Sequence, residues 1–212
     1  MDSNKTEAIK KELRTTTGYS QYNGWNNNRT QYGYHSYNIH DININGQRNP
    51  KQRLDIYRKY VDFSNKTVCD FGCNVGAMLH HLPEIKQGIG FDYDNSCIKA
   101  GNNISKILNC TNVNLYTHDF DKDPYKNLID LIQQFNISFL LSLGSWVSSW
   151  QTLYSIAIDH SDIIILETNN IKEGQSQLNF FEKKNKNIQL ISENSLDDIT
   201  NNTKRQSFLI SS

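Results

Sequence analysis

The heptad Asp70-Phe71-Gly72-Cys73-Asn74-Val75-Gly76 places an acid and two glycines where an apolar run gives way to a helical pattern. Glycine there lets a ligand approach the backbone, and a helix N-terminus favours negative charge. A dinucleotide-binding loop wants glycines at relative positions 1, 3 and 6. Here they stand at 1 and 5, with Asn74 at 3 and Ala77 at 6. This argues against a tightly held pyrophosphate. The acid ahead of the loop repels phosphate and suits a ligand bearing an ammonium group.

Three further segments could address the rest of such a ligand. Gly90-Phe91-Asp92-Tyr93-Asp94 ends a second apolar run, with Asp92 about twenty residues past the loop's start, where a carboxylate can accept from both hydroxyls of a ribose. His118-Asp119-Phe120-Asp121 offers an acid and backbone N–H groups to a base. Leu141-Ser142-Leu143-Gly144-Ser145-Trp146 follows a fourth run. Two side chains are candidate general bases: His35, whose ordinary pKa near 6.5 suits the task, and Glu167, at the end of a fifth run. Arg48 is a candidate partner for a ligand carboxylate, because its fork matches one bidentately, and Gln47 could orient the same group. Trp146 and Trp150 are four apart and share a helical face if the helix begins early.

No metal site is expected. His80 and His81 are adjacent and face different ways, and Asp121, Asp123, Asp197 and Asp198 read as loop acids. Cys69, Cys73, Cys97 and Cys110 form no CxxC pair and read as reduced thiols.

The elements that position these groups alternate. Thr67–Phe71, Gly88–Phe91, Val113–Tyr116, Ile137–Ser142 and Asp162–Glu167 read as strands. Helices are predicted over Val75–Leu82, Asn95–Leu108, Tyr125–Gln134, Trp150–Ile158 and Gln175–Lys184. Alternation at this spacing implies α/β architecture, a doubly wound and mostly parallel sheet covered on both faces. Ile188–Ser192 and Ser207–Ser211 have no helix between them and should form an antiparallel hairpin at one edge, making seven strands. Upstream, Gln52–Tyr60 reads as a basic amphipathic helix with Leu54, Ile56, Tyr57 and Tyr60 on one face. Residues 1–33 are polar, with a helical patch near Thr6–Arg14, and read as a flexible or lid-like segment ahead of one domain over 34–212.

The chain has 212 residues with 22 basic and 22 acidic side chains, so its net charge is zero. That weakens a primary role in wrapping nucleic acid, which rests on neutralising phosphates. The basic excess that exists lies in residues 1–60, on Lys51, Arg53, Arg58 and Lys59 among others. The opening MDSNKTEAIKKEL lacks an apolar h-region and no run is long enough to span a bilayer, so a cytoplasmic protein without membrane contact is expected.

In order and spacing, Val68–Gly76, Gly90–Asp94, Tyr116–Phe120 and Ser142–Trp146 resemble the successive motifs of class I S-adenosylmethionine-dependent methyltransferases. The resemblance covers about residues 34–212. It implies a Rossmann-like fold and S-adenosyl-L-methionine as cofactor, which carries an ammonium group and no phosphate. The loop's usual middle glycine is Asn74, as in a Gly-Cys-Asn-x-Gly subgroup. By this resemblance Asp70, Gly72, Asn74 and Gly76 hold the methionine part, Asp92 the ribose, and Asp119 with Phe120 the adenine. Cys73, Tyr93, Ser142, Gln47 and Arg48 complete the cofactor set, and Tyr34, Trp146 and Asn169 are expected at the acceptor. The stretch Tyr34–Ser36, Gly46–Arg48 and Arg53, with the later segments Glu167–Asn170 and Ser195–Asp198 and Arg205, is similar to methyltransferases found among sugar-modifying enzymes, implying the hydroxyl of a small molecule, a sugar or nucleotide-sugar, as acceptor. Gly-Cys-Asn-Val-Gly with Leu141–Trp146 is also similar to enzymes that methylate RNA 5′ phosphates. A third reading is a non-catalytic module that keeps the cofactor fold. The sequence leaves the oligomeric state open.

Overall fold

The computed structural model describes residues 3–17, 33–132, 134–194 and 205–212. Its elements, in chain order, are α1 Ser3–Leu13, β1 Tyr37–Ile39, β2 Ile42–Ile44, α2 Pro50–Tyr57, β3 Thr67–Phe71, α3 Ala77–His80, β4 Gln87–Asp92 and α4 Asn95–Leu108. They continue with β5 Val113–Thr117, α5 Tyr125–Leu131, β6 Phe135–Leu141, α6 Trp150–His160, β7 Ser161–Glu167, α7 Ile171–Lys183, β8 Asn187–Ser192 and β9 Ser207–Ser211. Seven strands form one sheet in the order β5-β4-β3-β6-β7-β9-β8. The first five are parallel, and β9 runs antiparallel to both β7 and β8. This is the doubly wound sheet with a C-terminal antiparallel hairpin that the sequence predicts. The chain reverses its winding between β3 and β6, so the crevice for a ligand opens at the strands' carboxyl ends.

Strand parity decides what faces what. Cys69 and Phe71 on β3, Leu140 on β6, and Ile164 and Leu166 on β7 pack with α5, α6 and α7. Val68, Ile137, Phe139 and Ile165 face the opposite way, onto Leu54 and Tyr57 of α2 and Met78 and Leu79 of α3. Side chains alternate along a strand, so Asp70 and Glu167 fall on the α2 side. Both faces are therefore apolar, as a parallel sheet requires.

Helix α2 begins with Asn49 as its cap and Pro50 in its first turn, Asn49 Oδ1 accepting from Gln52 N at 3.3 Å. Its buried side is Pro50, Arg53, Leu54 and Tyr57, an i, i+3, i+4, i+7 set. Tyr60, expected on that face, lies past the helix end and is 43% exposed. The helix expected over Val75–Leu82 is the single turn Ala77–His80, because Gly72, Asn74 and Gly76 all take positive φ and hold the chain out of helix until Ala77. Helix α1 docks: Ile9 and Leu13 are buried with Ala100 and Ile104 of α4 and with Tyr37, Ile42 and Ile44. The expected lid-like stretch thus contains a packed helix over 3–13, and its residues 18–32 lie outside the described residues. The β1–β2 hairpin has no counterpart in the sequence reading. Among the described residues no helix is long and apolar enough to cross a membrane.

Candidate functional site

The loop after β3 is bent over the end of β4. The backbone N–H groups of Gly72 and Cys73 both donate to Phe91 O, at 2.8 and 2.9 Å. Asn74 has φ +53°, the left-handed region where asparagine substitutes best for glycine. Its N–H donates to Asp92 Oδ2 at 2.8 Å, while Asp94 N donates to Oδ1 at 3.0 Å. Asp92 is buried, which pushes its pKa up, and these amides partly offset that rise. The structure thus brings the second-strand acid against the glycine loop. Cys73 was expected among the cofactor contacts, but its side chain is buried against Gly90, where a Cβ would meet its Sγ at 2.8 Å.

Asp70 is 2% exposed. Burial pushes its pKa up to about 8, Arg53 opposing and Asp92 adding to the rise. A carboxyl this buried ionises readily only beside a cation, and an ammonium group fits that requirement. Asp119, in the loop after β5, accepts from Lys122 Nζ at 2.8 Å and Asp121 N at 3.0 Å, and the Lys122 contact holds its carboxyl below the usual range. Phe120, expected at the adenine, is buried against Phe71 and His118, so its ring belongs to the core and only its backbone is left for a ligand. Asp121 accepts from Ser148 N and Ser149 N and ties the loop after β5 to the one after β6. Tyr93, in the loop after β4, and Trp146, in the loop after β6, are 71% and 78% exposed.

On the other side of the loop the chain builds a buried ionic cluster. Glu167 is 1% exposed. Its Oε1 accepts from Arg48 Nη2 at 2.8 Å, Arg53 Nη2 at 2.5 Å and Ser142 Oγ at 2.5 Å. Its Oε2 accepts from Arg53 Nε at 3.2 Å. Arg205 Nη1 approaches Oε1 to 3.9 Å. Ser142 takes φ +55° to reach this position, a strained conformation for serine. Glu167 is therefore an anchor rather than the general base the sequence suggested, since a proton could reach it only by displacing these donors. Arg48, expected on a cofactor carboxylate, is 0% exposed and pairs with Glu167. Arg53, named in the sequence both within the family-like stretch and among the basic residues of the helix surface, is 4% exposed. Its position on the apolar side of α2, at i+3 from Pro50, was the available signal.

His35 and Arg48 reach the cluster on one strap, residues 33–48. Arg48 N donates to Tyr34 O and Ser36 N donates to Arg48 O, both at 2.7 Å, and Gln47 N donates to Gly33 O at 3.2 Å. His35 is 5% exposed and stacks edgewise on Tyr34 at 4.6 Å. Burial, then Arg53 and Arg48, holds its pKa well below 6.5, so it is neutral at pH 7. Its Nδ1 has no hydrogen-bond partner among the described residues. Asn169, expected at the acceptor, uses its amide to clamp the loop after β6: Nδ2 donates to Ser142 O at 2.7 Å and Oδ1 accepts from Ser145 N at 3.3 Å. Trp150 opens α6 and packs on Tyr154 and Phe180, while Trp146 precedes the helix. The two tryptophans do not share a helical face. Asp197 and Asp198 lie outside the described residues.

No family model matches the sequence, and no curated protein matches it. Solved structures do match. The bifunctional kinase-methyltransferase WbdD is 20% identical over 84% of this chain and 43% of its own, with a TM-score of 0.64. The methyltransferase domain of bacterial CtHen1-C is 14% identical over 76% of this chain and 95% of its own, TM-score 0.55. Precorrin-6y C5,15-methyltransferase from Geobacter metallireducens GS-15 is 9% identical over 76% and 87%, TM-score 0.57. The chain spans less than half the length of WbdD. At these identities the likeness establishes the Rossmann-like fold these methyltransferases share.

Proposed function

We propose that the protein is a methyltransferase that uses S-adenosyl-L-methionine and releases S-adenosyl-L-homocysteine. The observation that carries the reading is Asp92, held by the Asn74 amide at the mouth of a glycine loop whose preceding acid, Asp70, is buried. Asp70 would face the ammonium group, Asp92 and Tyr93 the ribose, and the Asp119–Phe120 segment the adenine. Gly72, Cys73, Asn74 and Gly76 would offer backbone. Arg48 and Gln47 lie on the strap, where Arg48, fixed by Glu167, would hold the strap against the methionine end of the site, with Gln47 beside it and Ser142 closing that side. The cofactor supplies a methyl group on a sulfonium.

The acceptor in this reading is the hydroxyl of a small molecule, a sugar or nucleotide-sugar first, seated among Tyr34, Trp146 and the loop that Asn169 clamps. The acceptor oxygen bonds to the methyl carbon as the S–C bond breaks, and the electron pair returns to sulfur. The hydroxyl proton must leave, and neutral His35 is the group to take it. Much of the rate then comes from in-line positioning.

One observation favours a second reading. Glu167 is engaged by arginines and His35 is held at low basicity, so an oxygen already ionised, such as an RNA 5′ phosphate, would need no base at all. Neutral net charge weighs against RNA. Labelled methyl transfer from S-adenosylmethionine to sugar nucleotides and to 5′-phosphorylated RNA tests both. Transfer to neither acceptor class nor to any extract component would leave a binding module.

A further inference from the structure

We infer that Tyr37 and His80 are positioning residues for the glycine loop, which makes the strap over 33–48 a working part of the cofactor site. The inference rests on the cofactor reading above.

Tyr37 is 0% exposed. It lies in an apolar cluster with Ile9, Ile42, Ile44, Ala77 and Ile104, where phenylalanine would pack as well and bring no polar atom. Its hydroxyl nevertheless has specific partners. It donates to Val75 O at 3.3 Å and lies 3.1 Å from His80 Nδ1. His80 is buried, with Nε2 2.8 Å from Ser105 Oγ, which lies 3.2 Å from Gly101 O. Gly101 itself passes so close that a Cβ there would meet Val75 O at 2.7 Å. The strap and α4 therefore grip one carbonyl of the loop from two directions.

That carbonyl is well placed to matter. Val75 sits between Asn74 at φ +53° and Gly76 at φ +70°. Sparsely populated conformations persist only where surrounding contacts over-determine them. Asn74 is the residue whose amide meets Asp92, so a turn of the Val75 peptide would unseat that contact. The proton on His80 sets the grip. With it on Nδ1, His80 donates to Tyr37 and the tyrosine proton goes to Val75 O. With it on Nε2, the tyrosine proton turns to His80 and Val75 O loses its donor. A second tie keeps the strap in register: Asn38 N donates to His81 Nε2 at 3.2 Å, and His81 Nδ1 donates to Ala77 O at 2.7 Å. Coupling between sites is reciprocal, so filling the cofactor site should also steady the strap.

The test compares the parent chain with Tyr37→Phe and Ser105→Ala, by calorimetric titration with S-adenosylhomocysteine and by amide hydrogen exchange at Asn74, Ser36 and Asn38. Tyr37→Phe keeps the ring and removes one hydroxyl. It should weaken binding about fivefold, the scale of one net hydrogen bond. Asn74 should exchange faster in the free protein, and the ligand's protection of Ser36 and Asn38 should disappear. A merely structural role would lower stability and leave both the Asn74 rate and the ligand protection as they are. Should Tyr37→Phe not fold, Ser105→Ala releases His80 from the far end and should show the same loosening at Asn74. Parental affinity with unchanged Asn74 exchange in the folded variant overturns the assignment. Failure of the parent chain to bind overturns the cofactor reading instead, a result separate from the Asn74 rate measured without ligand.

Discussion

Arg48 and Glu167, 119 residues apart in the chain, meet in a buried ion pair 2.8 Å long. Arg48 closes the strap and Glu167 ends the interior strand β7, so the pair fastens the N-terminal segment to the carboxyl-end edge of the sheet. Breaking a buried pair by removing one partner leaves an uncompensated charge and costs about 3–5 kcal/mol. Glu167→Gln should therefore lower the unfolding free energy by about that amount in urea titrations, with methyl transfer falling in parallel. Full stability with loss of transfer alone would return Glu167 to the role of base.

Asp70 should make ligand binding release a proton. Its carboxyl holds a proton in the folded free chain until about pH 8 and in the unfolded chain only to about 3.8. Between those values the folded state binds more protons, so this group's contribution to stability falls as pH rises. A ligand ammonium beside it would favour the carboxylate. S-adenosylhomocysteine binding at pH 7 should then release close to one proton, read from calorimetry in two buffers of different ionisation enthalpy. Asp70→Asn should release none and should gain stability relative to the parent as pH rises from 5 to 8.

His80 and His81 push the other way. Burial lowers them to about 3 and about 4, from 6.5. The unfolded chain therefore takes up their protons first as pH falls. Stability present above pH 6.5 is lost below it, with a slope approaching about 1.4 kcal/mol per unit for each histidine until the folded values are reached. Both rings hold the strap, so acid should loosen it. Urea midpoints should drop between pH 6.5 and 4, and His81→Gln should flatten the decline. A flat parental profile would contradict this.

Asn74 tests the backbone account of the loop. Glycine adopts φ +53° without strain, whereas a β-branched residue there is a true outlier. Asn74→Gly should bind S-adenosylhomocysteine within about threefold of the parent. Asn74→Val should lose more than tenfold, since the amide that meets Asp92 must move. Equal affinity in both variants would mean the loop's backbone does not set the site.

The architecture was legible where sequence periodicity is strong. Thr67–Phe71, Asn95–Leu108 and Ser207–Ser211 are predicted with the bounds they have. The apolar runs announce buried parallel strands, and Asp94 and Asn109 mark the ends of α4 as an N-cap and a left-handed C-cap. The spacing of loop, Asp92 and Asp119 was visible because the loop follows β3, Asp92 ends β4 and Asp119 comes two residues after β5. The ionic cluster was not, because Arg48, Arg53, Ser142 and Glu167 meet only through tertiary packing, and an arginine on a helix's buried side looks like surface charge. The β1–β2 hairpin was missed because Tyr37–Ile44 offers two three-residue strands with no long alternation. The Tyr37–His80 contact joins elements whose pairing no local pattern encodes.

The most direct measurement is calorimetric titration with S-adenosylhomocysteine, on the parent protein and on Asp92→Ala, with NAD as a control ligand. The account predicts micromolar binding by the parent, loss of that binding in the variant, and no heat with NAD. No binding by the parent, or binding that Asp92→Ala leaves intact, would contradict the placement of the cofactor at this edge of the sheet.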